Sequence, residues 1–373
     1  MKIAVNTRLL IKNKLDGIGW FTFEIFNRIV KNHPEHEFYF LFDRKYDDEF
    51  IFAQNVIPVV ISPPTRHPVL WYLWFEFRIP KVLKKLNVDI FISPDGFLSL
   101  KSKIKSISVI HDINFAHFPK DLPFASNLFY NYFFPRYAKK ANRIITVSKY
   151  SKQDLVNTYG INPDEVNVLY NAANEIYRPI LNKEIISIKN EYTQAKDYFI
   201  FIGSLHPRKN VANMLKAFDV FCSKHNKDFK LLIIGNRFFK TKDISETYES
   251  MKFKNNVQFL GRLEPNEIRN LLAASTALVL VSKFEGFGIP IVEAMNCDIP
   301  SIVSDVSSLP EVVENSALYA NPYSVNSIAD AMLKMAENEE IRKKLIENTK
   351  IVRQKYSWDK SANEFWEIIE NLV

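Results

Sequence analysis

The chain has 373 residues, of which 47% are hydrophobic and 24% charged, and its formal net charge at neutral pH is +7. This length predicts about two domains, and the composition is that of a globular protein, which excludes a disordered or fibrous chain. No apolar run reaches the ~18 residues of a membrane span and no signal-peptide pattern begins the chain, so we expect a cytoplasmic protein.

The positive charge belongs to the first half of the sequence. Residues 1–170 contain 23 Lys and Arg against 16 Asp and Glu, whereas residues 171–373 contain 26 of each kind. Such an excess either serves solubility alone or indicates an anionic partner for the first half. We expect no nucleic acid, because no recognition helix, zinc finger or RRM pattern is present, and a membrane surface or lipid phosphate is the better candidate.

Short runs rich in β-branched and aromatic residues alternate with longer helical patterns along the chain, which is typical of βαβ units. A helix is predicted over about Gly19 to Val30, with Phe21, Ile25 and Ile29 on one face. Strands are predicted at residues 2–6, 37–42, 89–93, 106–110 and 143–148, and then at 198–203, 229–235, 256–261, 277–282 and 300–305. We therefore predict an α/β protein with two doubly wound parallel sheets and a ligand cleft between them.

A domain boundary is predicted in "NAANEIYRPI", residues 171–180. This polar stretch with a proline separates the strand-like "VNVLY" from a charged helical pattern. We place the first domain at residues 1–175 and the second at residues 176–355.

Two motifs of the first half lie where a strand is expected to end. Gly17 and Gly19 open a helix in "LDGIGWFTFEIF", but the GxGxxG spacing and the later acidic residue are missing, so we exclude a nicotinamide cofactor. Backbone amides of this loop can still meet a phosphate. His111 ends the strand in "SVIHDINFAHFP"; a lone histidine there is more often structural, although it lies at the expected ligand edge.

The segment "FIGSLHPRKN", residues 201–210, opens the second half with a strand that ends in Gly203. Arg208 and Lys209 follow in a turn, and Asn210 is expected to cap the next helix. Two cations beside a helix N-terminus form a site for an anion such as a diphosphate. The competing interpretation is an ordinary solvated basic turn.

The segment "SKFEGFGIPIVEAM", residues 282–295, places Glu285 and Glu293 among small and apolar residues. A carboxylate in such surroundings is costly unless something pairs with it or binds it. Gly286 and Gly288 form a turn that a ligand can approach closely, and Pro290 is expected as the first residue of a helix. Glu293 then lies one turn into that helix, where its alternative role is to complement the helix dipole.

Taken together, these motifs resemble glycosyltransferase family 4, the retaining nucleotide-sugar transferases of the GT-B fold. The most specific element is the pair Glu285 and Glu293, separated by seven residues with Gly-Phe-Gly between them. The resemblance covers nearly the whole chain, through "GIG", "HDINFAHFP", "ANRIITVSKYSKQDLV", "NAANEIYRP", "FIGSLHPRKN", "SKFEGFGIPIVEAM", "SDVSSLPEV" and "YSWDKSANEFWEII". It implies two Rossmann-like domains facing across a cleft, with a last helix, residues 356–373, packed back on the first domain.

The resemblance also implies which residues bind the donor. Hydroxyls of the donor sugar are expected to bind Glu285 and the backbone amides of Gly286, Phe287, Gly288 and Ile289. Glu293 is expected to bind the ribose of the nucleotide. One departure concerns Asp298, which stands where the family commonly has glycine, so we expect a small strain at a left-handed helix cap.

The remaining motif residues match the family's contacts to the diphosphate and the transferred sugar. Arg208 and Lys209, preceded by Gly203, match the diphosphate-binding residues, and the loop of Gly17 and Gly19 matches the one that meets the donor phosphates. His111 matches the histidine that reaches the transferred sugar. We therefore predict four catalytic residues, namely His111, Arg208, Lys209 and Glu285.

The implied activity is transfer of a hexose, and we predict mannose from GDP-mannose as donor and a polysaccharide or lipid-linked oligosaccharide as acceptor. Two alternatives stay open, namely a non-catalytic nucleotide-sugar-binding subunit of a transferase complex and a nucleotide-sugar 2-epimerase. Because the sequence has no D-x-D motif, we expect no metal and no other cofactor. Arg208 and Lys209 are instead expected to stabilise the leaving diphosphate.

Two aromatic segments of the first half, residues 71–77 and 124–137, carry aromatic side chains on more than one helical face. Either two neighbouring layers bury them, or they form a membrane-interface or dimer surface. Lysines in the nearby "KVLKK", "KSKIK" and "KKANR" favour the hypothesis of a peripheral contact with an anionic membrane, at the inner face of the cytoplasmic membrane.

Overall fold

The chain folds into two compact units, each built around its own parallel sheet. The computed structural model describes residues 1–225, 228–236 and 242–373. The first unit comprises Met1–Asn171 and Ser357–Val373, and the second comprises Ala172–Tyr356. None of the described helices is both long and apolar enough to cross a membrane.

The first unit contains a seven-stranded sheet in which neighbouring strands run parallel. In chain order its strands are β1 (Lys2–Asn6), β2 (Glu37–Phe42), β3 (Val56–Val60), β4 (Ile90–Ser93), β5 (Lys105–Val109), β6 (Arg143–Thr146) and β7 (Val166–Val168). Their order across the sheet is β3-β2-β1-β4-β5-β6-β7, so the strand order reverses between β1 and β4. This reversal is the switch point at which open parallel sheets bind ligands.

The second unit contains a six-stranded parallel sheet in the described part of the chain. Its strands are β8 (Asp197–Ile202), β9 (Phe229–Ile234), β10 (Val257–Gly261), β11 (Ala277–Leu280), β12 (Ser301–Ser304) and β13 (Ala317–Ala320). The order is β10-β9-β8-β11-β12-β13, which puts the switch point between β8 and β11.

Helices connect the strands of both sheets. Those before the boundary are α1 (Gly17–Asn32), α2 (Pro68–Leu73), α3 (Ile79–Leu86), α4 (Asn114–His117), α5 (Phe124–Lys140) and α6 (Lys149–Tyr159). Those after it are α7 (Asn182–Thr193), α8 (Val211–Lys224), α9 (Lys242–Ser250), α10 (Pro265–Ala273), α11 (Ile289–Asn296), α12 (Leu309–Val313), α13 (Val325–Glu337), α14 (Glu339–Val352) and α15 (Trp358–Glu370). A π-helical segment, Trp74–Arg78, joins α2 to α3.

The ten strands expected from the sequence are all present, and the α/β prediction with two parallel sheets is confirmed. The strand list left out β3 and β13, as well as β7, whose "VNVLY" was noted only as strand-like, and all three form sheet edges. β3 contains Pro58, and a proline within an apolar run argues against a strand except at an edge, where no partner needs its missing N–H. β13 has only four residues, two of which are alanines, a residue type depleted in strands, so its sequence pattern is weak.

Helix α1 shows how local sequence and burial agree in the first unit. The carboxylate of Asp16 caps the helix by accepting a hydrogen bond from the amide of Gly19 at 2.9 Å. Phe21, Ile25 and Ile29 are buried on one face, as their spacing predicts.

The C-terminal helix α15 packs on α1 within the first unit. Trp366 stacks on His33 with ring centroids 3.7 Å apart, and Phe365 meets Phe26 edge to face. Arg28 donates from Nε to Asp359 at 2.5 Å. The first unit therefore depends on residues from both ends of the chain.

The two aromatic segments are each partly buried. Trp74, Phe75 and Phe134 belong to the hydrophobic core of the first unit, so for these three residues the interpretation of burial holds. Phe77 and Phe124 are exposed instead. Periodicity had placed aromatics on several faces, and the structure shows that only some of those faces are covered.

Candidate functional site

The predicted residues of the second unit gather at the switch point between β8 and β11. Gly203 follows β8, and the segment 282–288 follows β11. β8 and β11 are hydrogen-bonded neighbours, and Ala277 pairs with Phe199. In the sequence, 74 residues lie between the end of β8 at Ile202 and the beginning of β11 at Ala277. Side chains far apart in sequence therefore meet at this edge.

Gly203 and Gly235 bring the ends of β8 and β9 into direct backbone contact. A Cβ atom on Gly235 would lie 1.8 Å from the carbonyl oxygen of Gly203, and Gly235 has a φ of +149°. The Gly203 amide donates to the carbonyl of Ile234 at 2.9 Å, and the Gly235 amide donates to Gly261 at 2.7 Å. No other residue type fits at position 235 without moving the turn that follows β8.

Arg208 and Lys209 lie in a single 3-10 turn, Pro207–Lys209, after β8. The ring of His206 accepts from the Arg208 amide through Nδ1 at 3.2 Å and so caps this turn. The expectation that the Asn210 side chain caps α8 is wrong. The backbone of Asn210 is left-handed, with a φ of +61°. Its side-chain nitrogen Nδ2 donates to the carbonyls of Val281 and Pro322 at 3.0 and 2.7 Å.

Glu285 forms ion pairs with both cations. Lys209 Nζ donates to Oε1 at 2.5 Å, and Arg208 donates from one guanidinium nitrogen to Oε2 at 2.9 Å and to the carbonyl of Phe284 at 3.0 Å. Glu285 is 4% exposed and Lys209 is 8% exposed. The pairing partners of Glu285 thus come from the turn that follows the neighbouring strand β8.

The pKa of Glu285 reflects two opposing influences. Burial acts to raise it, but the charges of Lys209 and Arg208 and the hydrogen bonds to Lys209 and Ser282 outweigh burial and lower the pKa to about 2. Glu285 is therefore ionised at neutral pH. The three charged groups together carry a net charge of +1.

Three serines that sequence reasoning did not single out hold Glu285 in place. Ser282 donates from Oγ to Oε1 at 2.7 Å. Ser307 accepts from the Glu285 amide at 3.1 Å, and Ser308 donates to the Glu285 carbonyl at 2.9 Å. Ser307 and Ser308 lie in the family-like segment "SDVSSLPEV", and that match was the one signal available for them.

The glycine turn leads directly into α11. Gly288 is the residue before the helix and is left-handed, with a φ of +94°, and a Cβ there would lie 3.0 Å from Ile291 and from Leu309. Ile289 is the first helical residue, so Pro290 occupies the second position and not the first as expected. Phe287 is buried, with its ring 5.4 Å from that of Tyr356.

Glu293 lies on α11, and its hydrogen-bond partner Tyr177 belongs to the family-like segment "NAANEIYRP" but had been assigned no role. The hydroxyl of Tyr177 donates a hydrogen bond to the Glu293 carboxylate. Burial raises the pKa of Glu293 to about 7, and the hydrogen bond from Tyr177 opposes this rise. Burial also raises the pKa of the nearby Cys297 thiol to about 12, with the Glu293 charge contributing.

The end of α11 contains the left-handed cap expected at Asp298. Its φ is +56°, which confirms the predicted conformation. Arg353 donates to the Asp298 carboxylate at 2.7 Å and to the carbonyl of Met295 at 2.9 Å. This pairing helps to offset the strain that an aspartate has at such a position.

The predicted residues of the first unit lie at the carboxyl edge of its own sheet. His111 follows β5, and its Nε2 lies 2.9 Å from the carbonyl oxygen of Pro94, so this nitrogen carries the proton. The Phe21 ring meets the imidazole edge to face at 4.9 Å. Burial lowers the pKa of His111, although the bond to Pro94 and the charge of Asp112 act in the opposite direction. The imidazole is therefore neutral at neutral pH.

The loop of Gly17 and Gly19 has an acidic partner of its own. The Gly19 amide, which the resemblance assigns to a phosphate, donates to the capping carboxylate of Asp16. Gly19 is also a close-approach position, because a Cβ there would lie 3.2 Å from the carbonyl oxygen of Leu9.

A polar cluster that sequence reasoning missed lies at the switch point of the first sheet. Asn6, the last residue of β1, donates from Nδ2 to Asp95 at 2.9 Å, and Arg8 donates from Nε to Asp95 at 2.6 Å. The Arg8 guanidinium also lies over the Phe97 ring, 4.3 Å from its centroid. Arg8 and Asp95 are buried. The polar run "NTR" at the end of the first strand is the signal that could have indicated this cluster.

No group of three or more His, Cys, Asp or Glu side chains within the described ranges has the arrangement of a metal site.

Two family models match this chain and together cover most of it. Residues 15–175 match "Glycosyltransferase Family 4", and residues 182–352 match "Glycosyl transferases group 1". The second match contains Arg208, Lys209, Glu285 and Glu293.

Curated relatives match over similar lengths. O-antigen chain mannosyltransferase B of Escherichia coli is 24% identical over 98% of both chains. O-antigen chain mannosyltransferase RfbU of Salmonella typhimurium is 27% identical over 74% of both chains. An uncharacterized glycosyltransferase of Methanocaldococcus jannaschii is 29% identical over 95% of both.

Solved structures share the fold at low sequence identity. HepE of Anabaena, solved in complex with UDP and glucose, superposes with a TM-score of 0.77 at 17% identity over 100% of both chains. WaaG, a glycosyltransferase involved in lipopolysaccharide biosynthesis, superposes with a TM-score of 0.76 at 15% identity over 99% of both.

Proposed function

Because this chain belongs to the glycosyltransferases, with a family 4 domain followed by a group 1 domain, we propose that it transfers mannose from GDP-mannose to a polysaccharide or lipid-linked oligosaccharide. The relatives named O-antigen chain mannosyltransferases support this choice of sugar and of acceptor class. The observation that carries the proposal is the Arg208, Lys209 and Glu285 cluster at the switch point of the second sheet. Family models of glycosyltransferases also favour a transferase over an epimerase.

The diphosphate of the donor would bind beside Arg208 and Lys209. Their pairing with Glu285 still leaves the cluster with a net positive charge, which attracts a diphosphate. Glu285 also fixes the positions of both cations before the donor arrives, so little reorganisation is needed when charge develops on the leaving group.

The transferred sugar would bind at the Glu285 carboxylate. An ionised carboxylate accepts about four hydrogen bonds. From the described residues Glu285 accepts three, from Lys209 and Ser282 at Oε1 and from Arg208 at Oε2. Oε2 therefore keeps capacity for one hydroxyl of the sugar. The implication of the resemblance that His111 reaches the transferred sugar is kept as part of this proposal.

The ribose of the nucleotide would bind at Glu293. A carboxylate accepts from two neighbouring hydroxyls when it is ionised, and the pKa of about 7 means that this state becomes dominant only above neutral pH. Tyr177 favours the ionised state by its hydrogen bond, which makes it part of the proposed ribose site.

We propose retention of the anomeric configuration without a metal ion. The acceptor hydroxyl attacks the anomeric carbon on the same face from which the leaving group departs. The bond from that carbon to the diphosphate breaks, and the hydroxyl proton passes to a phosphate oxygen. Arg208 and Lys209 stabilise the negative charge of the departing nucleoside diphosphate. Their fixed positions in the turn after β8 make them suited to this role.

The proposal is tested by thermal stabilisation of the purified protein with GDP-, UDP-, ADP- and dTDP-sugars, each beside its free nucleoside diphosphate. We expect GDP-mannose to give the largest shift and Glu293→Ala to reduce it. Transfer to a lipid-linked oligosaccharide, followed in the presence of EDTA, then tests the reaction and the absence of a metal. A uniform lack of response to all four nucleotides from folded protein would contradict the donor site.

A further inference from the structure

Exposed hydrophobic side chains concentrate on one part of the first unit. Among the described residues, sixteen large hydrophobic side chains are exposed, and eight of them fall between residues 69 and 132. We call these eight the apolar face: Val69, Tyr72, Leu73, Phe77, Leu100, Phe124, Leu128 and Tyr132. A soluble surface normally scatters such residues singly, and a concentration of them indicates a contact surface.

Helix α5 carries one half of the apolar face. Phe124, Leu128 and Tyr132 follow one another at a spacing of four, so they form one stripe along the helix, and they are 82%, 61% and 50% exposed. The other side of the helix buries Phe134 and Tyr137 in the core. A helix that is apolar on both sides is normally buried on both, so the outer stripe lacks the cover that its composition predicts.

The segment that begins with α2 carries the other half. Val69 and Leu73 lie one turn apart on α2, and Phe77 follows in the π-helical segment. The Tyr72 ring joins the two halves, because its centroid lies 5.6 Å from that of Phe77 and 5.8 Å from that of Phe133 on α5. Phe133 in turn lies 4.9 Å from the ring of Tyr132, so ring contacts connect the α2 half of the face to the C-terminal end of the α5 stripe.

Positive charges greatly outnumber negative charges in the segments that carry this surface. Residues 68–86, 99–103 and 124–140 contain one acidic residue, Glu76, which is buried. The same segments expose nine cations, namely Arg78, Lys81, Lys84, Lys85, Lys101, Lys103, Arg136, Lys139 and Lys140. Lys101 lies over the Phe77 ring at 3.5 Å and Arg136 over the Tyr132 ring at 3.7 Å, so cationic heads and aromatic rings share the surface.

From this arrangement we propose that the apolar face is a membrane-docking surface, which inserts Phe124, Leu128 and Phe77 among the headgroups and upper acyl chains of a bilayer that contains anionic phospholipid. Aromatic and aliphatic side chains enter the interface while Lys and Arg reach the lipid phosphates. A second copy of this chain is a poorer occupant, because two such faces would place their cations against each other. The proposal does not depend on the identity of donor or acceptor.

Vesicle binding tests the insertion of the apolar stripe. The full-length protein is sedimented with vesicles of phosphatidylcholine alone and with vesicles of phosphatidylcholine mixed with phosphatidylglycerol. We expect binding to the mixed vesicles only. The double variant Phe124→Ser with Leu128→Ser removes exposed apolar groups, and we expect its binding to fall by a factor on the order of ten or more.

A matched control removes two hydrophobic side chains of similar exposure outside the face. Leu181 and Ile186 are both 61% exposed in the second unit. We expect Leu181→Ser with Ile186→Ser to bind mixed vesicles as the wild type does. An equal loss in both double variants would overturn the proposal, since it would show a general effect of surface hydrophobicity.

The electrostatic part has its own pair of variants. Lys84→Gln with Lys85→Gln is expected to weaken binding on the order of tenfold at low salt, and added salt should weaken the wild type in the same direction. Lys343→Gln with Lys344→Gln, on α14, serves as the control of equal charge change. If vesicle binding changed neither with added salt nor in the variant Lys84→Gln with Lys85→Gln, that result would contradict the role of anionic lipid.

Two further measurements separate this proposal from others. In the first, the wild type binds no vesicles but elutes as a dimer, whereas the double variant Phe124→Ser with Leu128→Ser elutes as a monomer. That result would overturn membrane docking in favour of a homodimer interface. Nucleotide-sugar stabilisation should be unchanged in all four double variants, so a failure of the proposed donor site and a failure of membrane docking give different results.

Discussion

Tyr177, which lies just after the boundary between the two units, donates a hydrogen bond from its hydroxyl to the carboxylate of Glu293 on α11. The resemblance assigned Glu293 to the nucleotide ribose, and its sequence surroundings suggested no partner other than the helix dipole. The structure adds a neutral donor that favours the ionised form against the effect of burial. The state of this carboxylate thus depends on a residue 116 positions earlier in the chain.

Tyr177→Phe tests this bond directly. Removing the hydroxyl should raise the pKa of Glu293 above about 7, because the bond lowers it in the wild type. We expect the affinity for the nucleoside diphosphate to rise with pH in both proteins, with the midpoint of the variant at higher pH. The cost in stability should be about 1 kcal/mol. Calorimetric titration across pH measures the midpoint, and an unchanged midpoint would exclude a role for Tyr177.

Glu293→Gln should change how stability depends on pH. The folded pKa of about 7 exceeds the ordinary value of 4.5, so between these values the folded state binds more protons than the unfolded state. The stability of the wild type therefore falls as the pH rises through this window, by about 3 kcal/mol at most. Because Glu293 is partly exposed, solvent screening makes the fall smaller than this limit. Glutamine carries no charge, so the variant should lack this contribution.

The measurement is urea denaturation of both proteins at about pH 5 and about pH 8. Other titrating groups contribute equally to both proteins, so the difference between the two slopes isolates Glu293. Parallel pH profiles would show that Glu293 keeps an ordinary pKa in the folded protein.

Lys209→Met and Glu285→Gln should separate binding of the diphosphate from binding of the sugar. Lys209→Met takes away a cation and leaves the buried Glu285 with less compensation, so we expect destabilisation of about 3–5 kcal/mol and weaker binding of both GDP and GDP-mannose. Glu285→Gln raises the net charge of the cluster, so GDP binding should be retained while the extra affinity from the sugar is lost.

The control for this pair is Lys224→Met, because Lys224 is exposed and lies 3.5 Å from Asp330 in a weak surface pair. Its stability and GDP affinity should match the wild type. Equal losses of GDP and GDP-mannose affinity in Glu285→Gln would count against a sugar contact at Glu285.

Gly235→Ala should disrupt the turn that carries Arg208 and Lys209. The new Cβ would overlap the Gly203 carbonyl oxygen at 1.8 Å, so the ends of β8 and β9 must move apart. We expect a loss of several kcal/mol in the free energy of unfolding. Gly160→Ala is the matched control, because Gly160 has a φ of +66° with nothing within 4 Å of its Cβ position, and should lose about 1 kcal/mol. Equal losses of stability in the two variants would mean that the positive φ alone, and not the overlap with Gly203, causes the destabilisation.

The positions of the strands followed from local pattern. Runs such as "EFYFLF" and "FKLLII" are too apolar for a surface strand and too short for a buried helix, and both proved to be interior parallel strands. The edge strand β3 escaped this reasoning, because Pro58 breaks the pattern while costing no hydrogen bond at an edge. The aromatic segments were ambiguous for a related reason, since periodicity gives faces but not what covers them.

The sequence by itself determined the two parallel sheets, the glycine turns and the motif residues, because these depend on short-range spacing and on residues that tolerate unusual backbone angles. Only the tertiary structure decided that Lys209 and Arg208 pair with Glu285, that Ser307 and Ser308 hold it, and that Tyr177 reaches Glu293. The physical reason is that these contacts require β8 and β11 to be neighbours and the chain to return across the sheet. Strand order is set by packing of the whole unit, and no local pattern encodes it.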